Sequence, residues 1–202
     1  MGRGPALIIV DVQRDFCPGG ALAVKQGDQI IEPINGLISL FEKKGLPIFL
    51  TRDWHPADHC SFRSKGGPWP PHCVKNTPGA EFHPSLHVPK GAAVISKGTK
   101  KDIEAYSGFQ GTELAERLRE AGRNELYVVG LATDYCVKNT VLDGISNGFT
   151  VNVISDCVKG VNVKPTDSAN AFRSMVANGA GETTSESVIR MMSRRVAVSS
   201  SS

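Results

Sequence analysis

Short apolar runs alternate along the chain with longer stretches in which apolar residues return every three or four positions. The runs are Ala6 to Val12, Pro47 to Thr51, Ala92 to Ser96, Leu126 to Val129 and Val151 to Ile154. Each is short, continuous and rich in branched side chains, so each predicts a buried strand. Between them the spacing changes. Ile30, Ile31, Ile34, Leu37, Ile38 and Phe41 lie on one helical face, which predicts a helix over 28–44, with Asp28 as N-cap and Lys43-Lys44-Gly45 as its stop. A second helix is predicted from Thr112 to near Gly122. A third is capped by Asp134, carries Val137, Val141, Leu142 and Ile145, and stops at Gly148. Pro165-Thr166 opens a fourth, through Phe172 and Val176. Thr183-Thr184-Ser185-Glu186 offers a capping box to a last helix with Val188, Ile189 and Met192.

Apolar strands separated by helices imply parallel strands buried on both faces. The expected fold is therefore α/β: a three-layer α/β/α sandwich around an open, mostly parallel sheet of about six strands, five of which can be located. A single domain is expected over 1–195, followed by a flexible polar tail over 196–202. No stretch reaches the roughly 20 apolar residues of a membrane span. The N-terminal run is too short for a signal peptide.

One window breaks the alternation. Residues 54–90 show no periodicity, yet they hold all five histidines, both tryptophans and seven of the twelve prolines. Charge adds little: 23 basic against 20 acidic side chains give +3. The surplus equals Arg190, Arg194 and Arg195, near the C-terminus, so no basic face for nucleic acid is indicated. Five cysteines, an odd number without paired spacing, read as reduced thiols and predict the cytoplasm.

In open parallel sheets, ligands bind beyond the carboxyl ends of the strands. Those ends carry Asp11, Asp53-Trp54-His55, Lys97 and the Gly130-to-Cys136 segment. Residues i and i+2 at a strand end point the same way, so Asp53 and His55 can share a ligand. With His59 and His72 nearby, the donors suit a zinc- or iron-like ion, surface histidines in a long loop being the alternative. Cys136 opens a predicted helix, where the dipole and backbone N–H groups favour a thiolate and could hold an oxyanion. Lys97 could neutralise such charge. Asp11, ending a buried run, would be desolvated and suited to proton transfer.

Five blocks of sequence then resemble the nicotinamidases of the isochorismatase-like hydrolase superfamily. They are Ala6 to Gly20, TRDWHPADHCSF at 51–62, GGPWPPHCVKNTPGAEFHP at 66–84, SKGTKKDIEAYSGF at 96–109 and GLATDYCVKNT at 130–140. The resemblance implies hydrolysis of nicotinamide to nicotinate and ammonia through a cysteine thioester, in NAD salvage. Pyrazinamide is a second expected substrate. The resemblance implies Cys136 as nucleophile, Asp11 as general acid/base and Lys97 as charge stabiliser. The backbone N–H groups of Ala132 and Cys136 would form the oxyanion hole, beside a cis Leu131–Ala132 peptide. Asp53, His55 and His72 match the ligands of one divalent metal, zinc first, with iron or manganese as alternatives; His59 is a further candidate. Phe16, Trp69 and Tyr106 match the walls of a pyridine pocket. Homo-oligomers are common among such relatives. One departure stands out: Ser64 occupies a place where many relatives carry glutamate. Amidohydrolases of carbamoyl compounds, isochorismatases and a non-catalytic scaffold are the competing readings, and Cys136 speaks against the second.

Overall fold

The computed structural model describes residues 4–199, with side chains to 193. Six strands form one sheet: β1 (Ala6–Val10), β2 (Ile48–Asp53), β3 (Ala93–Lys97), β4 (Glu125–Leu131), β5 (Thr150–Lys159) and β6 (Gly181–Thr183). Their order is β3-β2-β1-β4-β5-β6, and every pairing is parallel. The helices are α1 (Ile31–Lys43), α2 (Leu114–Glu120), α3 (Lys138–Ser146), α4 (Asp167–Ala177) and α5 (Ser185–Ser199).

Alternation along β1 sorts the layers. Leu7 and Ile9 pack with Ile34, Leu37, Ile38 and Phe41 of α1 and with Val188 and Met192 of α5. Ala6, Ile8 and Val10 point the other way, onto Leu114 and Leu118 of α2, Val141 of α3 and Met175 of α4. A strand sandwiched so has no polar face, which is why its sequence runs apolar without a break. The order turns around between β1 and β4, so their carboxyl ends diverge into different loops and leave a crevice there. Gly130 lets the two strands meet closely. Its φ is +116°, and a Cβ there would stand 2.0 Å from the Val10 carbonyl oxygen.

Three predicted caps are corrected. Asp28 lies within a short 3₁₀ turn, Gly27–Ile30, and α1 begins after it with no side-chain cap. Asp134 caps nothing; its carboxylate accepts the N–H groups of Val161 and Asn162 at 2.9 and 2.7 Å, pinning the loop after β5. The capping box before α5 is displaced by one: Thr184 Oγ1 accepts the N–H of Ser187, and Asp156 takes that of Ser185. The helix α5 runs to Ser199; the rest of the expected polar tail, 200–202, and the side chains of Arg194 and Arg195 lie outside the described residues. No helix among the described residues is long and apolar enough to cross a membrane.

Candidate active site

Four strand ends converge on Lys97, the last residue of β3. Its side chain is fully buried, and a buried ammonium survives only among compensating charges. It has them. Nζ lies 2.8 Å from Asp11 Oδ2 and 2.5 Å from Asp53 Oδ1, donates to the Ala105 carbonyl at 3.1 Å, and sits 3.4 Å from Cys136 Sγ. Burial works against the charge, but the two carboxylates outweigh it and hold Lys97 well above its ordinary range. Asp53 shows the reciprocal effect. Burial opposes its ionisation, yet Lys97 and His55 keep its carboxyl below the usual carboxylate range. Asp11 differs. Burial dominates, Lys97 only partly offsets it, and Asp53 adds repulsion, so its carboxyl is raised. Two carboxylates around one cation thus divide into a firmly ionised group and a proton acceptor poised nearer neutrality.

Cys136 lies within hydrogen-bonding range of this cluster, but it does not open a regular helix as its sequence suggests. It sits inside a π-helical turn, Thr133–Val137, which runs directly into the regular helix α3 at Lys138. Such wide turns break the i→i−4 ladder and recur at functional sites. Its side chain is buried. Burial pushes the thiol well above its ordinary range, Lys97 opposes this, and Asp11 and Asp53 reinforce it. A thiol raised in this way needs a base, the part that the sequence resemblance implies for Asp11. The donor atoms of Asp11, Asp53 and Cys136 all lie within 4.8 Å of one another, so a base is at hand. The Leu131–Ala132 peptide that leads into the turn is cis.

Asp53 also belongs to a second cluster. Its carboxylate, His55 and His72 are buried, and their donor atoms lie within 4.8 Å of one another. The hydrogen bonds of the two imidazoles settle which nitrogens are free. His55 Nδ1 donates to the Gly98 carbonyl at 2.9 Å and His72 Nδ1 to the Pro70 carbonyl at 2.8 Å. Each ring therefore commits Nδ1 and leaves Nε2 for the pocket. His55 Nε2 stands 3.4 Å from Asp53 Oδ2, and Asp53 holds the imidazole above its ordinary range against burial; a metal cation between them would take the place of that proton. Metal-binding histidines are oriented in this way, through a backbone carbonyl on the other nitrogen. The N₂O set fits a divalent ion with coordination positions left open. Gly98 (φ +60°) permits the approach, since a Cβ there would lie 2.4 Å from the His55 ring.

The other histidines part company. Both His59 nitrogens have protein partners: Nε2 donates to the Ile103 carbonyl at 3.1 Å, and Nδ1 accepts from the Ser61 hydroxyl at 2.7 Å. Its ring stacks on His55, with centroids 4.1 Å apart, so it buttresses a ligand and offers no lone pair of its own. His83 is half-buried and accepts the Ser85 N–H; exposed His87 pairs with Glu42. Ser64 lies exposed on a short 3₁₀ turn, outside the cluster.

Aromatic rings wall the space beside these groups. The Phe16 ring packs 5.5 Å from His72, and Trp69 Nε1 donates to Tyr106 Oη at 3.0 Å. Tyr135, which no sequence signal marks, completes the group 5.0 Å from Trp69 and 5.6 Å from Tyr106. Phe62, equally unmarked, is fully buried and sets its ring edge against His55, His59 and His72.

Thr51 is a further site residue that the sequence does not single out. It is buried at the β2 end, and its hydroxyl donates to Asp11 Oδ1 at 2.7 Å, which leaves Oδ2 for Lys97. A hydrogen bond to a carboxylate favours its charged form. Removing it in Thr51→Val raises the Asp11 pKa further, so the acid limb of kcat/KM moves to higher pH. A pH–rate profile checks this; an unmoved limb would separate that limb from Asp11. The available signal is a polar residue ending an otherwise apolar strand.

Known proteins resemble the chain in both sequence and fold. The Isochorismatase domain family matches residues 5–187. The chain is 46% identical over 196 residues to the nicotinamidase of Escherichia coli, covering 87% of this chain and 92% of that protein. It is 43% identical over 172 residues to the nicotinamidase/pyrazinamidase of Mycobacterium tuberculosis, covering 81% and 91%. Among solved structures, the pyrazinamidase of Pyrococcus horikoshii in complex with zinc superposes with a TM-score of 0.86 at 52% identity, covering 89% of this chain and 98% of that one.

Proposed function

The chain belongs to the isochorismatase family, and on that premise we propose that it is a metal-dependent amidohydrolase that converts nicotinamide to nicotinate and ammonia. Pyrazinamide is a second substrate on the same reading, and residues 1–195 act as one catalytic domain. The observation that carries the proposal is Asp53. One of its oxygens meets Lys97 of the Asp11–Lys97–Cys136 group, and the other faces His55 of the Asp53–His55–His72 group. A nucleophile and a metal pocket joined through one carboxylate, beside an aromatic slot, suit a flat heteroaromatic ring bearing a carboxamide.

Asp53, His55 and His72 would hold a divalent ion, such as the zinc of the Pyrococcus horikoshii pyrazinamidase, and it would supply Lewis acidity towards the heteroaromatic ring. The chain's own groups do the rest. Phe16, Trp69, Tyr106 and Tyr135 sandwich the ring and keep water from it. Asp11 takes the proton of Cys136, and Lys97 stabilises the resulting thiolate at 3.4 Å. The sulfur attacks the carboxamide carbon, and its oxygen becomes an oxyanion on the N–H groups of Ala132 and Cys136. Asp11 returns the proton to nitrogen as the C–N bond breaks and ammonia leaves. A water molecule, deprotonated by Asp11, then attacks the thioester; the C–S bond breaks, nicotinate departs and Cys136 regains its proton. Five unpaired thiols and the lack of a membrane-crossing helix among the described residues support action in the cytoplasm.

The test is ammonia release across a panel of nicotinamide, pyrazinamide and carbamoyl amides, with elemental analysis of the same sample. Turnover confined to the heteroaromatic amides is the expected result, and turnover of the carbamoyl compounds alone would reject the proposal. In parallel, His72→Ala is expected to lower metal affinity about 10-fold or more. Unchanged metal content would remove His72 from the site.

A further inference from the structure

Gln13 is completely buried two residues beyond Asp11, yet it touches neither the thiol nor the donor atoms of the metal pocket. Its carboxamide is fully engaged. Oε1 accepts the main-chain N–H of Asp53 at 2.8 Å; Nε2 donates to the Asp53 carbonyl at 2.8 Å and to the Ala80 carbonyl at 2.9 Å. The backbone explains the need. β1 and β2 pair through Val10 and Thr51, and the Asp11 N–H still bonds the Thr51 carbonyl at 3.2 Å. Asp11 then takes φ +49°, and the chain turns away. In a parallel sheet, residues i and i+2 present their main-chain groups to the same neighbour. The N–H and C=O of Asp53 therefore face the side that β1 has just vacated. A primary amide has the donor and acceptor of a peptide group, and Gln13 supplies the rung that β1 no longer can.

We propose that Gln13 is a positioning residue that holds Asp53 so that one carboxylate oxygen reaches Lys97 while the other faces the metal pocket. Its bond to Ala80 ties the loop that carries His72 to the same anchor. This rests on the metal and cysteine roles proposed above. It makes a distinctive demand: one side chain that touches neither the thiol nor a ligating atom must disturb both centres when altered.

The experiment uses Gln13→Met and Gln13→Asn, with Asn35→Ala as control. Asn35 bonds Ser85 and His87 at 2.8 Å each and so steadies the same loop from α1 without touching Asp53. Two readouts are taken on protein that is folded by circular dichroism. One is the visible spectrum and affinity of added Co²⁺. The other is the rate at which iodoacetamide alkylates Cys136 in metal-free protein, resolved by peptide mass spectrometry. Both Gln13 variants are expected to shift the cobalt bands, weaken Co²⁺ about 10-fold or more, and change the alkylation rate several-fold. Asn35→Ala is expected to match the wild type in both. A folded Gln13 variant with wild-type cobalt bands and alkylation rate overturns the proposal. If Gln13→Met does not fold, the same two readouts on Gln13→Asn, which retains a buried amide, decide between the two outcomes. A wild-type protein that takes up no Co²⁺ would overturn the metal site itself, a failure distinct from that of Gln13.

Discussion

Replacing Cys136 by alanine is expected to abolish turnover while metal and nicotinamide still bind. A covalent mechanism has no substitute for its nucleophile, so kcat is expected to fall at least ~10⁴-fold. Binding is expected to persist because the groups that hold the ring are separate: Asp53, His55 and His72 on one side, and the aromatic walls on the other. The change also removes one buried neutral thiol, which leaves the Lys97 ion pairs with Asp11 and Asp53 in place. Ammonia release and nicotinamide titration on the same preparation check both halves. Retention of most of the activity would exclude a thioester route.

The second large effect is on stability. Lys97→Met removes the only cation among the described residues that contacts both Asp11 and Asp53, each of them fully or almost fully buried. Breaking a buried ion pair in this way costs about 3–5 kcal/mol, because an uncompensated charge remains. The pH dependence follows from the directions of the shifts. In the wild type, Lys97 and His55 outweigh burial and hold Asp53 below the ordinary carboxylate range. That contribution is present above the ordinary range and is lost as pH falls through the lowered folded value. In the variant, burial and Asp53 act on Asp11 without Lys97, so its folded value rises further above the unfolded one, and Asp53 keeps only His55 against burial, so its folded value rises as well. The stability that ionised Asp53 contributes is thereby reduced, and that of Asp11 is present at low pH and lost as pH rises. The two stability curves therefore converge on acidification, and urea titrations of metal-free protein at about pH 7.5 and 5 measure this. A deficit that stayed constant between the two would mean that the carboxylates do not depend on Lys97.

Much of this site is legible because a doubly covered parallel sheet writes itself plainly. Its strands run apolar, so a charged residue at a strand end stands out, and Asp11, Asp53 and Lys97 do so for that reason. The histidine window announces a metal, but spacing alone does not separate ligand from buttress. That distinction lies in hydrogen bonds: His55 and His72 each give one nitrogen to a carbonyl, whereas His59 gives up both. What escapes the sequence is structure with no periodic signature. β6 is only Gly181-Glu182-Thr183, an edge strand with no apolar run. β5 continues past Ile154 through Ser155 and Asp156 to Lys159, beyond an irregularity in its pairing with β4 between Val128 and Gly130. The π-helical turn at Thr133–Val137 looks in sequence like an ordinary helix start, and Asp134 like its cap. Gln13 and Thr51 are polar residues in or beside apolar runs, a signal that marks a buried partner without naming it.

On the proposed mechanism the amide is cleaved through a thioester on Cys136. Rapid quenching in acid during turnover of nicotinamide, followed by peptide mass spectrometry, tests it most directly. A single nicotinoyl adduct is expected on the peptide that contains Cys136, absent in Cys136→Ala. Steady turnover with no adduct at any quench time, or an adduct on another cysteine, would contradict it.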